Sequence, residues 1–226
     1  EGTYNNCAIT VTDAAGNTSA PLVLSTFTIS TSVPQVLVMS LSDSTLTAGE
    51  TAVFTVLFSK SVTAFSNADI TTPNGTLSTI TDTSSGLAWT AVFTPTPLTY
   101  DATNEITIDL TTLTDLSGIA GIGTATSSNY VVNTIIAPTV VSVDATYVSS
   151  TRATLNGSIT APGGENASAY GFTYGLTNNY GNTTTVGTNA GTTTFSYTLT
   201  DLSQLTRYYF RAYATNNAGT SYGSET

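Results

Sequence analysis

The sequence contains no histidine, a single cysteine, and charges on only 8% of its residues. Without His, every Ser–His, Cys–His and His–metal arrangement is excluded. A pair of carboxylates could still hydrolyse glycosides, but the acids are scattered over turn and strand-end positions, so no active site is expected. Cys7 has no partner for an intrachain disulfide. It falls on the same alternating face as Ile9 and Val11, which predicts a buried, inert thiol, with an intermolecular disulfide as the functional alternative. Only four residues are basic (Lys60, Arg152, Arg207 and Arg211) against fourteen acidic ones. Four cations cannot track phosphates, and a net charge of −10 repels nucleic acid and anionic lipid. No apolar run approaches the ~20 residues of a membrane span, so no membrane insertion is expected of this segment. No basic and apolar leader opens the chain, so a secreted form would carry these residues inside a longer precursor.

What is present is a period of two. Ala52, Phe54, Val56 and Phe58 share one face of a run, as do Leu87, Trp89, Ala91 and Phe93. Ile106, Ile108 and Leu110 alternate with Thr107 and Asp109. The same pattern returns in Tyr170/Phe172/Tyr174, Phe195/Tyr197/Leu199 and Tyr208/Phe210/Ala212/Ala214. Alternation over β-branched and aromatic residues marks half-buried strands. Gly, Asn, Asp and Pro separate the runs, and Thr72-Pro73-Asn74-Gly75 is a tight-turn signal. No stretch of about ten residues carries the helical period. The fold class read from this is all-β, built of tandem antiparallel sandwiches.

An internal repeat sets the boundaries. Thr12-Asp13-Ala14-Ala15-Gly16-Asn17 leads to Phe27-Thr28-Ile29-Ser30-Thr31 and then Pro34. Thr114-Asp115-Leu116-Ser117-Gly118-Ile119 leads to Tyr130-Val131-Val132-Asn133-Thr134 and then Pro138. Each proline opens a new strand, Val36–Leu41 or Val140–Val143. Residues 34–136 and 137–226 are thus two sandwiches of about 100 residues each. Residues 1–33 hold two strand candidates, Tyr4–Thr12 and Leu22–Ser30, too few to fold alone. They read as the closing strands of a preceding repeat, or as strands completed by a neighbouring chain. The final strand begins near Ser221 and is barely completed, so both ends read as cut from a longer array.

Residues 42–134 resemble the bacterial Ig-like repeats of large surface adhesins. The resemblance rests on Leu46-Thr47-Ala48-Gly49-Glu50-Thr51, Phe65-Ser66-Asn67-Ala68-Asp69-Ile70, Asn74-Gly75-Thr76-Leu77, Trp89-Thr90-Ala91-Val92-Phe93-Thr94-Pro95 and Thr114-Asp115. Residues 138–226 resemble a fibronectin type III module through Leu202-Ser203-Gln204-Leu205-Thr206-Arg207-Tyr208 and Arg211-Ala212-Tyr213-Ala214-Thr215-Asn216. That resemblance implies a tyrosine corner at Tyr208, whose hydroxyl bonds upstream backbone. The tryptophan common on the second strand of animal modules is missing, and Gly157 or Ile159 stands there. The style of this module is similar to those in large secreted proteins of the Bacteroidota. The resemblances imply spacing, adhesion or display, and no chemistry.

Calcium is the cofactor to weigh, because carboxylates on sandwich-end loops suit an oxygen-seeking cation. Asp69, Asp101 and Asp115 are the candidate ligands, with Asp13 in a similar place; Asp109 alternates outward within a strand. The competing reading is that each Asp caps its own turn. Related adhesin repeats often carry an Asp in the linker, where this chain has Ser30 and Asn133. Tyr209, Arg211 and Tyr213 form the outward set of one strand and are the candidate partner-binding face, for surface glycans or proteins. Cross-strand packing is the alternative there. Lys60 is expected to lie solvated beyond its strand, with an internal isopeptide crosslink as the other option. Five Asn-x-Ser/Thr sequons, at Asn17, Asn74, Asn156, Asn166 and Asn182, match what chance gives in a chain this rich in Asn and Thr. Gly118 to Gly123 has the wrong glycine spacing for a dinucleotide fingerprint.

The function read from the sequence is a passive stalk or filament segment of a large secreted bacterial surface protein, packed against other repeats of the same protein. Two further readings stay open: a non-catalytic accessory module of a polysaccharide-degrading enzyme, and a filament subunit whose end domains are finished by adjacent chains.

Overall fold

The computed structural model describes residues 2–29 and 31–226; Glu1 and Ser30, the latter one of the two linker positions, lie outside the described residues. The described chain is all-β, with one short 3-10 turn at Asn67–Asp69. Its buried apolar side chains form two separate cores.

The first core grows from the alternation in Ala52–Phe58, which buries Ala52, Phe54, Val56 and Phe58 on one face. Such burial contributes about 1.5–3 kcal/mol for each large side chain. Ala52–Phe58 lies between Ala88–Pro95 and Val36–Leu41, and Gly75–Leu77 extends the sheet beyond Ala88–Pro95. The facing layer is broken into short strands: Tyr100–Asn104 with Tyr130–Asn133 and Thr45–Thr47, Thr107–Asp109 between Thr124–Thr126 and Ile70–Thr71, and Thr114–Asp115 with Val62–Thr63. From this layer Leu46, Ile106, Ile108, Leu113, Tyr130 and Val132 fill the interior. One pairing departs from the antiparallel rule. Thr45–Thr47 runs parallel to Tyr130–Asn133, because the chain leaves the Val36–Leu41 strand at Ser42 and crosses to the other layer. Asp43 steadies that crossing by accepting the Thr45 N–H at 2.8 Å.

The second core sits between a three-stranded sheet (Thr139–Thr146, Ala153–Ala161, Thr193–Leu199) and a four-stranded one (Asn182–Gly187, Ala169–Gly175, Tyr209–Asn216, Gly219–Tyr222). Phe172, Ile159, Leu155, Phe195, Phe210 and Ala212 occupy it. Gly157 stands where a large ring would not fit: a Cβ there would lie 2.8 Å from Ala212 Cβ and 3.1 Å from the Phe195 ring. Phe195 thus fills the space from across the sheet. Tyr197, expected on the core face with Phe195 and Leu199, is 40% exposed, whereas those two neighbours on its strand are buried.

Residues 2–29 form a long hairpin. The two expected strands are each split, into Gly2–Tyr4 and Ala8–Ile9, and into Leu22–Val23 and Phe27–Ile29. Tyr4 stacks on Phe27 at 5.5 Å, yet Ile9, Val11, Leu22, Val23 and Ile29 are exposed. Cys7 is partly exposed, where a buried thiol was expected.

Candidate functional site

The candidate face on the second sandwich is built by register. Tyr213 pairs with Tyr222, and Arg211 with Thr173. The Arg211 guanidinium lies 3.8 Å above the Tyr222 ring and 4.7 Å from that of Tyr180, an attraction of a cation to ring faces. Tyr180 donates its hydroxyl to Glu225 Oε2 at 3.1 Å. Burial, then Glu225, pushes the Tyr180 phenol up, and Arg211 opposes that. Tyr213 meets Tyr222 at 6.4 Å, and its hydroxyl is 3.1 Å from Thr185 Oγ1. Tyr209 carries Arg207 over its ring at 4.7 Å. Tyr209, Arg211 and Tyr213 therefore share one face, but Tyr213 is only 8% exposed because Tyr222 and Thr185 cover it. The sequence reading missed Tyr180 and Tyr222, which reach the face from a loop and the last strand.

The three candidate calcium ligands lie in three different elements, Asp69 at the end of the 3-10 turn, Asp101 in the Tyr100–Asn104 strand and Asp115 at the end of the Thr114–Asp115 strand, each with its own partners. Asp69 closes a capping box with Ser66 and accepts the Thr112 hydroxyl at 2.6 Å. Asp101 accepts the Thr103 N–H at 2.9 Å and Asn74 Nδ2 at 2.8 Å. The Thr103 backbone bond leads in holding its carboxyl below the ordinary range. The same Asn74 reaches Asn104, which is buried and donates to Tyr130 O at 3.1 Å. Burial, reinforced by Asp101, pushes the Tyr130 phenol up to about 12, and its hydroxyl donates to Pro73 O. Asp115 Oδ1 accepts the N–H groups of Ser117 and Ile119, both at 2.9 Å. Asp13 repeats this with Ala15 and Asn17, also at 2.9 Å. Gly16 and Gly118 follow at φ +88° and +79°, a conformation that glycine adopts without strain. No group of three or more Cys, Asp or Glu suited to a metal occurs among the described residues.

Lys60 is not solvated as expected. Its Nζ lies 3.1 Å from Asp115 Oδ2 and donates to Ser32 O at 2.5 Å, tying a core turn to the preceding linker. Fifty-five residues separate Lys60 from Asp115, so no local signal could reveal the pair. The tyrosine corner is present: Ser203 N–H donates to the Tyr208 hydroxyl at 3.2 Å. Beside it opens a cleft of about 710 Å³ lined by Leu155, Leu202, Leu205, Phe210, Arg152 and Arg207 among others, with Asp144 as its one carboxylate side chain. No described helix is long and apolar enough to cross a membrane.

Two sandwiches in series, held by turn-capping acids and a packed aromatic face, define a chain of modular β-domains. Residues 30–132, which carry the first core, match the family described as Bacterial Ig-like domain. No curated protein matches the chain. Among solved structures, domains A168–A170 of titin are similar at 18% identity and TM-score 0.32; the match covers 86% of this chain and 66% of the titin segment, just under two thirds of its length. A two-domain fibronectin type III segment of chicken tenascin is similar at 15% identity and TM-score 0.29, over 84% of this chain and 95% of that one. Domains FN1–FN3 of chicken CNTN1 are similar at 14% identity and TM-score 0.33, over 97% of this chain and 72% of that one.

Proposed function

We propose that this chain is a non-catalytic stalk segment of a large secreted bacterial surface protein, divided into sandwiches at 34–136 and 137–226. Residues 1–33 are taken as the closing hairpin of another repeat, because the Asp13 and Asp115 turns share the same bonds. The observation that supports a stalk most directly is the serial placement of two complete cores joined by one short linker. Strands of about eight residues span roughly 27 Å, so each module adds reach. Opening a module exposes a whole core at once, which resists pulling and proteolysis. Surface glycans or proteins are the partners proposed for the Tyr209–Arg211–Tyr213 face, where Tyr222 remains 46% exposed. The test is an antibody raised against this chain. It should label intact producing cells without permeabilisation. Labelling only after permeabilisation would contradict the reading.

A further inference from the structure

The linker between the cores is anchored on both sides. On the first sandwich, Thr134 N–H donates to Thr99 O at 2.8 Å and its hydroxyl to Thr96 O at 2.6 Å. On the second, Ile136 N–H donates to Gly163 O at 2.9 Å. Asn216 Nδ2 then donates to Ile136 O at 2.8 Å and to Pro162 O at 3.1 Å. Ile135 alone lies between the anchored residues. Glu165 joins the two receiving turns, accepting Asn217 N–H at 2.5 Å and Asn217 Nδ2 at 3.1 Å.

Glycine is required where the modules touch. Gly163 has φ +84°, and a Cβ there would lie 2.0 Å from Ile136 O. Gly164 has φ +103°, and its Cβ would lie 2.8 Å from Leu98 O and 2.9 Å from Ile135 Cγ2. Neither contact could relax by moving only the tip of a flexible side chain, because backbone carbonyls of the first sandwich and the linker stand there. Modules joined by a free linker move relative to one another by default; a linker bonded on each side, with a single residue between its anchors, loses that freedom.

We infer that Gly163, Gly164 and Asn216 are positioning residues that hold the two sandwiches at one fixed angle. The inference rests on the stalk reading and supplies its stiffness. Pulsed electron-spin distance measurement tests it on the full chain with Cys7→Ser, labelled at exposed Thr76→Cys and Gln204→Cys. The parent should give one narrow distance distribution. Gly163→Ala should broaden it by about twofold, as expected of modules released from a fixed contact. Gly181→Ala is the control: its φ is +90°, so it carries the same backbone strain, but nothing lies within 4 Å of its Cβ. If Gly163→Ala does not fold, Ile136→Pro serves instead, since it deletes the donated N–H without entering either core. A broad distribution in the parent contradicts the stalk reading itself. A narrow parent that neither junction variant broadens overturns this inference alone, and so does equal broadening in Gly181→Ala.

Discussion

Asp13 and Asp115 show a single carboxylate shaping a turn, each gathering two backbone N–H groups into one oxygen. Both are held below the ordinary carboxylate range. For Asp13 the leading cause is the Asn17 side chain, and for Asp115 it is the Ile119 N–H. A lowered folded pKa means that the unfolded chain binds protons first as pH falls. These turns therefore add stability above about pH 4, and lose it as pH drops through the lowered values. Urea unfolding should give a level midpoint from about pH 7 to 5 and a falling one below about pH 4; Asp115→Asn should flatten the fall. Asn104 is a different case, a buried amide linking Asn74 to the backbone of Tyr130. Asn104→Ala leaves those groups unpaired and should cost about 1–3 kcal/mol in the same assay. The Asp-x-x-Gly spacing was legible because its bonds span four residues. Lys60 was not, because its partner is brought near only by the fold.

At the scale of the element, alternation told strand from helix and core face from solvent face in Ala52–Phe58 and Ala88–Pro95. It could not show that Thr45–Thr47 joins its neighbour in parallel, since a period of two is the same in either direction. Nor could it show that the polar face of Tyr209–Asn216 is covered. There the last strand, Gly219–Tyr222, brings Tyr222 onto Arg211 and Tyr213. Arg211→Ala removes a stacked guanidinium between two rings, and should lower the stability of the second sandwich by about 1–2 kcal/mol, read as an earlier thermal transition with the first sandwich unchanged. The turn at Pro162-Gly163-Gly164 was equally hidden as a contact. Glycines announce a turn, not what it approaches.

At the scale of the molecule, the chain places two cores in series with the linker bonded at each end. The repeated turn and the two prolines made the serial order legible, while the angle between the modules depends on contacts more than twenty residues apart. A stalk must be extended and stiff, and small-angle X-ray scattering of the 226-residue chain reads both properties. A compact globule of this length has a radius of gyration of about 17 Å. Two sandwiches in line should give a value well above that and a longest dimension beyond ~54 Å, twice the reach of one eight-residue strand. A radius near 17 Å would mean that the sandwiches fold back on each other, and the chain could not serve as a stalk.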